Sequence, residues 1–499
     1  MKFTTFGAAI VVGALLFSGA ASAGAAVPGE WTDPVDVSAH GDSAYGQELA
    51  VAPDGSLIAV WVWEDGPTAK RIQTSTSSDN GATWSVPIDL TDGTNSAIKP
   101  QLAVSSAGLV TVVWLESNGS NRLVRTKSSD TPGTSWPTTA TNLSAAGQHA
   151  NDPQLAVSSD GSVTVVWKRN NGSNNIVQTM TSSASAATWP TTATDLSALG
   201  QNTYGLEVVV TPGGTVTVVW RRFDGTIEVI QTMTSSNPRV SWPAVATDLS
   251  DGTESATSPD LALSSDGSVT VVWRQYDGPD AIIQAKTSDT DGRNWPGTAI
   301  DVSATVQGAS DPQVAVSSDG SVTVVWRQYD GANFIVQAKT LSAASATWPV
   351  AAIDLSDASH DGGGMQLAVG PDGSVFVVWA WSESIGTTTH IQASDSSDNG
   401  ATWSASAEIA STGFTEDAVS AAISADGSLI AAWPATVGSD HSIQSSYWKS
   451  AVASTADDAS AGLPATGAAV PVALVFGGML ALMLGAGVLV FSRSRAATK

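Results

Sequence analysis

The chain has 499 residues with 46 glycines, 19 tryptophans and no cysteine, and 46 Asp and Glu outweigh 21 Lys and Arg for a formal net charge of −25. Without cysteine there is no disulfide, thiolate metal site or thiol nucleophile, and a field of that sign repels nucleic acid. Abundant Gly, Ser and Thr with almost no helix-length amphipathic pattern predict a β protein.

Residues 1–23 carry Lys2, an apolar stretch from Phe6 to Phe17 and the small-residue series Ala21-Ser22-Ala23. That is the pattern of a secretory signal peptide, cut before Gly24. From there to about residue 450 one unit repeats. A Trp closes an apolar run at Trp61, Trp114, Trp167, Trp220, Trp273, Trp326, Trp379 and Trp433, at six intervals of 53 residues and one of 54. The series Asp36, Asp89, Asn142, Asp195, Asp248, Asp301, Asp354 and Glu408 keeps the same spacing.

Each unit reads as four short strands. In the sixth copy they are 313–316, 321–328, 333–339 and 348–355, with Asp319-Gly320 and Asp330-Gly331 supplying tight turns. A four-stranded unit of this length fits a propeller blade, whereas 53 residues is about half a β-sandwich domain. The chain opens with a fourth strand (35–38) and closes with a third (441–448), so the first can complete the last and leave no open edge. The expectation is one all-β, eight-bladed β-propeller over 24–450.

The core tryptophans, and a second series (Trp84, Trp136, Trp189, Trp242, Trp295, Trp348, Trp403) expected to open strand four, are read as packing residues. Trp63 and Trp381 are extra and nearer a surface. One position after the core Trp come Lys168, Arg221, Arg274 and Arg327. This basic row on an acidic chain would bind a carboxylate or sulfate of a glycan, or else pair with Asp224, Asp277 and Asp330. Tyr276 and Tyr329, in duplicated Arg-Gln-Tyr-Asp-Gly turns, would stack on such a ligand.

Glu48, Gln101, Gln154, Glu207, Asp260, Gln313, Gln366 and Ser420 open strand one and would ring a channel mouth. Strand three repeats a Gln at 73, 178, 231, 284, 337, 392 and 444, read as amides that satisfy backbone groups. The five histidines lack metal-ligand spacing, and no cofactor fingerprint occurs, so neither a metal nor a cofactor is expected.

Residues 451–462 are small and polar, a tether. Leu463-Pro464-Ala465-Thr466-Gly467 follows, then 24 almost wholly apolar residues (468–491), long enough to span a bilayer, and a positive tail (492–499) with Arg493, Arg495 and Lys499. With both ends removed the chain keeps 46 acidic and 17 basic residues, a net of −29.

The order of motif, span and positive tail resembles the cell-wall sorting signal of Gram-positive surface proteins, the LPXTG type. The resemblance implies that a sortase cysteine attacks the Thr466–Gly467 bond and passes the Thr carboxyl to peptidoglycan. Its partners would be sortase, the wall and, before sorting, the membrane; its place would be the extracellular surface.

Ser77-Ser78-Asp79-Asn80-Gly81-Ala82-Thr83-Trp84 and Ser396-Ser397-Asp398-Asn399-Gly400-Ala401-Thr402-Trp403 resemble the Asp-box (BNR repeat) of sialidase-like propellers. The resemblance implies that Ser77, Asp79, Gly81, Trp84 and Ser396, Asp398, Gly400, Trp403 brace turns, on the face away from any active site. The arginine motif that opens the sialidase family is absent, and Tyr276 and Tyr329 are duplicated where a nucleophile would be unique. The first reading is therefore a wall-anchored binding or adhesion module for a glycan, acidic ligand or protein. The alternatives are a sialidase-like exo-glycosidase, with no catalytic residue assignable, and an envelope spacer.

Overall fold

The computed structural model describes residues 30–449 apart from 40–42, 67–68, 279, 305–307, 383–387, 413–418, 425–426 and 438–439. The signal peptide, tether, Leu463–Gly467 motif, apolar span and tail all lie outside the described residues. The described part is all-β, with six antiparallel four-stranded sheets, one nine-stranded sheet that joins the first and last units, and one three-residue 3-10 turn, consistent with a β-propeller.

In the sixth unit the strands are Ala309–Val316, Val322–Tyr329, Phe334–Leu341 and Ile353–Asp354, in that spatial order. Strand two is apolar on both sides because other sheets cover both of its faces. Strand four is shorter than expected. Only Ile353 and Asp354 enter the ladder, and Trp348 lies in the preceding loop. The same correction holds for the other tryptophans of that series. They are half-buried lids against the apolar clusters between neighbouring sheets.

The core tryptophans are at most 1 % exposed. Each joins apolar side chains from two successive units, as Trp220 does with Val166 and Val177 of the preceding unit. The first strands adjoin in series, Ser43–Val51, Ala97–Val104, His149–Val157, Asn202–Val210, Ala256–Leu263, Ala309–Val316, Gly362–Val369 and Ser420–Ile423, and the last lies against the first. The chain's beginning closes its end. Val35 and Asp36 pair antiparallel with Ser445 and Gln444, Glu30 and Trp31 with Lys449 and Trp448, and the Trp31 and Trp448 rings meet edge-on at 5.6 Å.

Two repeated series of the sequence turn out to be partners. Gln73, Gln178, Gln231, Gln284, Gln337 and Gln444 donate through Nε2 to Asp89, Asp195, Asp248, Asp301, Asp354 and Asp36 at 2.7–3.1 Å. These amides therefore latch strand three to the short strand four rather than serving the backbone. In the second unit the latch is rewritten: Arg125 sits opposite Asn142 and instead meets Glu116 at 2.9 Å, while Glu116 also accepts from Trp114 Nε1 at 3.0 Å.

The polar residues opening strand one do not line an open mouth. They are largely buried and bracket the next unit. Gln313 donates to Met365 O and accepts from Leu367 N, both at 2.7 Å, and Asp260 accepts from Val314 N at 2.9 Å. Backbone groups on the free edge of the inner strands of the sixth and seventh units are satisfied in this way.

Candidate functional site

Strand direction gives the sheets two ends. One carries the strand-one/two turns and the Asp-boxes; the other carries the strand-two/three turns, and the basic row lies toward it. At the first end Asp79 Oδ1 accepts from Thr83 N at 2.9 Å and Oδ2 from the Thr83 hydroxyl at 2.6 Å. Ser77 Oγ donates to Asp79 at 2.7 Å and accepts from Gly81 N at 2.9 Å. Asp398, Thr402, Ser396 and Gly400 repeat the pattern at 2.6–2.8 Å. Burial pushes both carboxyls up, but the threonine and serine donors outweigh it and hold both below the usual aspartate range. The turn residues Asn80 and Asn399 take φ of 56° and 58°, followed by Gly81 and Gly400 at 83–88°.

The basic row does not gather into one cluster. Lys168 pairs with Asp152, which also pairs with Lys99 of the preceding unit. Arg221 meets Glu228 at 3.2 Å, and Arg327 meets Asp311 at 3.4 Å. Partners expected from nearby turns are thus replaced; Asp224, for instance, holds Arg222 at 3.0 Å. Arg274 differs from the other three. Among the described residues no carboxylate lies within ion-pair reach of it, and its guanidinium rests 4.6 Å from the Tyr276 ring centroid.

Aromatic rings support the whole row. Lys168 and Arg221 share Tyr204 at 5.3 and 4.7 Å, and Arg327 lies 4.7 Å from Phe334. Tyr329 therefore is not the counterpart of Tyr276. Its ring packs on Phe334 and its hydroxyl donates to Gly331 O at 2.9 Å. The two extra tryptophans are half-buried against basic or imidazole groups. Trp63 lies under Arg71 at 5.1 Å, and Trp381 is stacked between His360 and His390 at 3.8 and 4.1 Å.

A backbone device positions these groups. Strand one carries a bulge in each of the first seven units, and its pivot is Gly46, Lys99, Asp152, Gly205, Ser258, Asp311 or Gly364, each with φ of 46–62°. The bulge turns Asp152 and Asp311 toward the cation that follows the core Trp. In the fifth unit Ser258 stands where those carboxylates stand and Ala281 stands at the strand-three position of Glu228, so neither ion pair is repeated for Arg274. Lys99, Asp152, Ser258 and Asp311 each precede a proline, where the left-handed region is disfavoured. No three His, Asp or Glu among the described residues come together as a metal site.

No family model and no curated protein matches the sequence. Solved structures do resemble the fold. A polysaccharide lyase, Uly1, is 11% identical with a TM-score of 0.47, over 72% of this chain and 90% of its own. The α-L-arabinanase of Penicillium chrysogenum is 15% identical with a TM-score of 0.40, over 63% and 99%. A sialidase of Streptococcus pneumoniae is 12% identical with a TM-score of 0.41, over 61% and 68%. These likenesses concern chain path at low identity and assign this chain no activity.

Proposed function

We propose that the chain is an eight-bladed β-propeller displayed on the outside of a Gram-positive cell, where the end bearing the basic row binds an acidic glycan or other carboxylate- or sulfate-bearing ligand. The observation that carries the reading is Arg274 on Tyr276, a cation held by a ring with its ion-pairing capacity unspent. Guanidinium offers a planar fork to a carboxylate or sulfate, and the ring beside it offers a face to a sugar. Eight core tryptophans and the pairing of 35–36 with 444–445 support the blade count and the closed ring. Export, sortase processing at Thr466 and attachment to peptidoglycan are part of this proposal and rest on the sequence of the two chain ends.

The test measures acidic-glycan binding and fluorogenic-sialoside hydrolysis on one preparation. Arg274→Ala should weaken binding at least tenfold, the order expected when a charge-assisted contact of about 1.5–3 kcal/mol is lost. Hydrolysis abolished by Arg274→Ala would replace the binder with a sialidase-like exo-glycosidase. For anchoring, Thr466→Ala/Gly467→Ala should move the protein from the wall fraction to the membrane; covalent recovery with peptidoglycan in that variant contradicts sorting.

A further inference from the structure

The Asp-box end carries a feature that turn bracing does not use. Between the first and second units opens a groove of about 450 Å³, lined by Asp54, Ser78, Thr83, Trp84, Pro132 and Thr134 among others. That volume falls in the range of small-molecule sites, about 300–1,000 Å³. The groove forms here because a full Asp-box turn stands beside the enlarged turn of the second unit. That turn leans on the first unit so closely that a Cβ at Gly133 would come within 2.8 Å of Thr76.

The lining is hydroxyl-rich and contains one carboxylate and no cation. Trp84 is half-buried and pinned through Nε1 to Ser445 Oγ at 3.0 Å, so its ring is fixed in place. Asp54 spends Oδ1 on Ser56 N at 2.9 Å, while its other oxygen and the Ser78 hydroxyl take no hydrogen bond from the described residues. An acidic ligand would meet Asp54 with like charge, and an apolar one would desolvate these groups without replacing their partners.

We propose that this groove is a second binding site, for a neutral mono- or disaccharide. A sugar's apolar face packs on Trp84 and Pro132, and its hydroxyls donate to Asp54 and Thr83 Oγ1 and exchange hydrogen bonds with Ser78. The site is independent of the basic row, which lies toward the other end.

The experiment uses the full chain and saturation-transfer NMR with glucose, galactose, N-acetylglucosamine, maltose and lactose as neutral probes and sialyllactose as the acidic one. At least one neutral probe should bind. Asp54→Asn, which can keep the turn to Ser56, should weaken it at least fivefold, and Ser78→Arg should abolish it by filling the groove, both with unchanged melting temperature. Arg274→Ala should leave it intact, which separates this outcome from any failure of the basic-row reading. Three results overturn the proposal: no neutral probe binding the folded protein, binding indifferent to both groove substitutions, or a preference for sialyllactose that Ser78→Arg removes.

Discussion

The two ends of the sheets spend their polar groups differently. At the Asp-box end, Asp79 and Asp398 are consumed by their own turns, and glycines let the turns of the second, fifth and seventh units seat on the preceding unit. Gly292 sits against Thr217 and Thr234 of the fourth unit, and Gly400 against Thr323 and Thr340 of the sixth. At the other end turn acids such as Asp224 and Asp330 are likewise held by their own backbone amides, but charged side chains also reach across strands and units and lie on rings. The Asp-box end therefore seats unit on unit, while the second end keeps one cation of the basic row, Arg274, without an ion pair among the described residues, an arrangement that fits a scaffold with a separate working face.

The largest effect should come from matched glycine substitutions. At Gly400, φ is 83° and an added Cβ would sit 2.4 Å from Thr340 Oγ1 and 2.7 Å from Thr323 Oγ1. Left-handed backbone costs an L residue about 1–2 kcal/mol, and overpacking adds about 1–3 kcal/mol. Gly278, in a strand-two/three turn, has φ of 59° and nothing within 4 Å. Gly400→Ala should cost about 3 kcal/mol in denaturant unfolding and Gly278→Ala about 1 kcal/mol. Equal losses would erase the distinction between the ends.

This difference explains what could be read in advance. The core tryptophans and the Asp-Gly turns are legible because period and residue type alone determine them. The Gln and Asp series are each visible, but their pairing depends on a strand register that spacing does not state. The bulge pivot was hidden because Gly, Lys, Asp and Ser all occupy it and a following proline argues against its backbone region. Without the bulge, nearby turn acids seemed the natural partners of the basic row; with it, Asp152 and Asp311 are closer.

A smaller effect is expected from acid. In Asp79 and Asp398 burial raises the pKa, but donors from Thr83, Thr402 and the box serines lower it more. Each carboxylate therefore adds stability that is fully present above the ordinary value of 3.8 and is lost as pH falls through the depressed folded value. Melting temperature followed from about pH 5 to pH 2 should drop more steeply for the wild type than for Asp79→Asn/Asp398→Asn. Parallel acid limbs would mean that the box carboxylates contribute nothing to the acid sensitivity.

The smallest effect should come from Asp152, on the charged end. Burial pushes its carboxyl up, and Lys168 and Lys99 more than reverse that, so it is held ionised below the usual aspartate range. Asn tolerates the left-handed backbone at this pivot, where φ is 46°, so Asp152→Asn removes charge while preserving the bulge. The Asp152 side chain is 34% exposed and that of Lys168 only 11%, so the pair is partly buried and should contribute about 1 kcal/mol. The loss should be small and should shrink, without vanishing, as salt rises to about 0.5 M, because screening acts on the part-exposed Asp152 and Lys99 more than on the buried Lys168. Gly400→Ala should show no such salt dependence, since clash and backbone strain are not screened. The same substitution also frees Lys99 and Lys168, so acidic-glycan binding at this end should rise while stability slightly falls. A salt-independent loss as large as that of Gly400→Ala would make Asp152 a structural brace like the Asp-boxes, and the division of labour between the two ends would not hold.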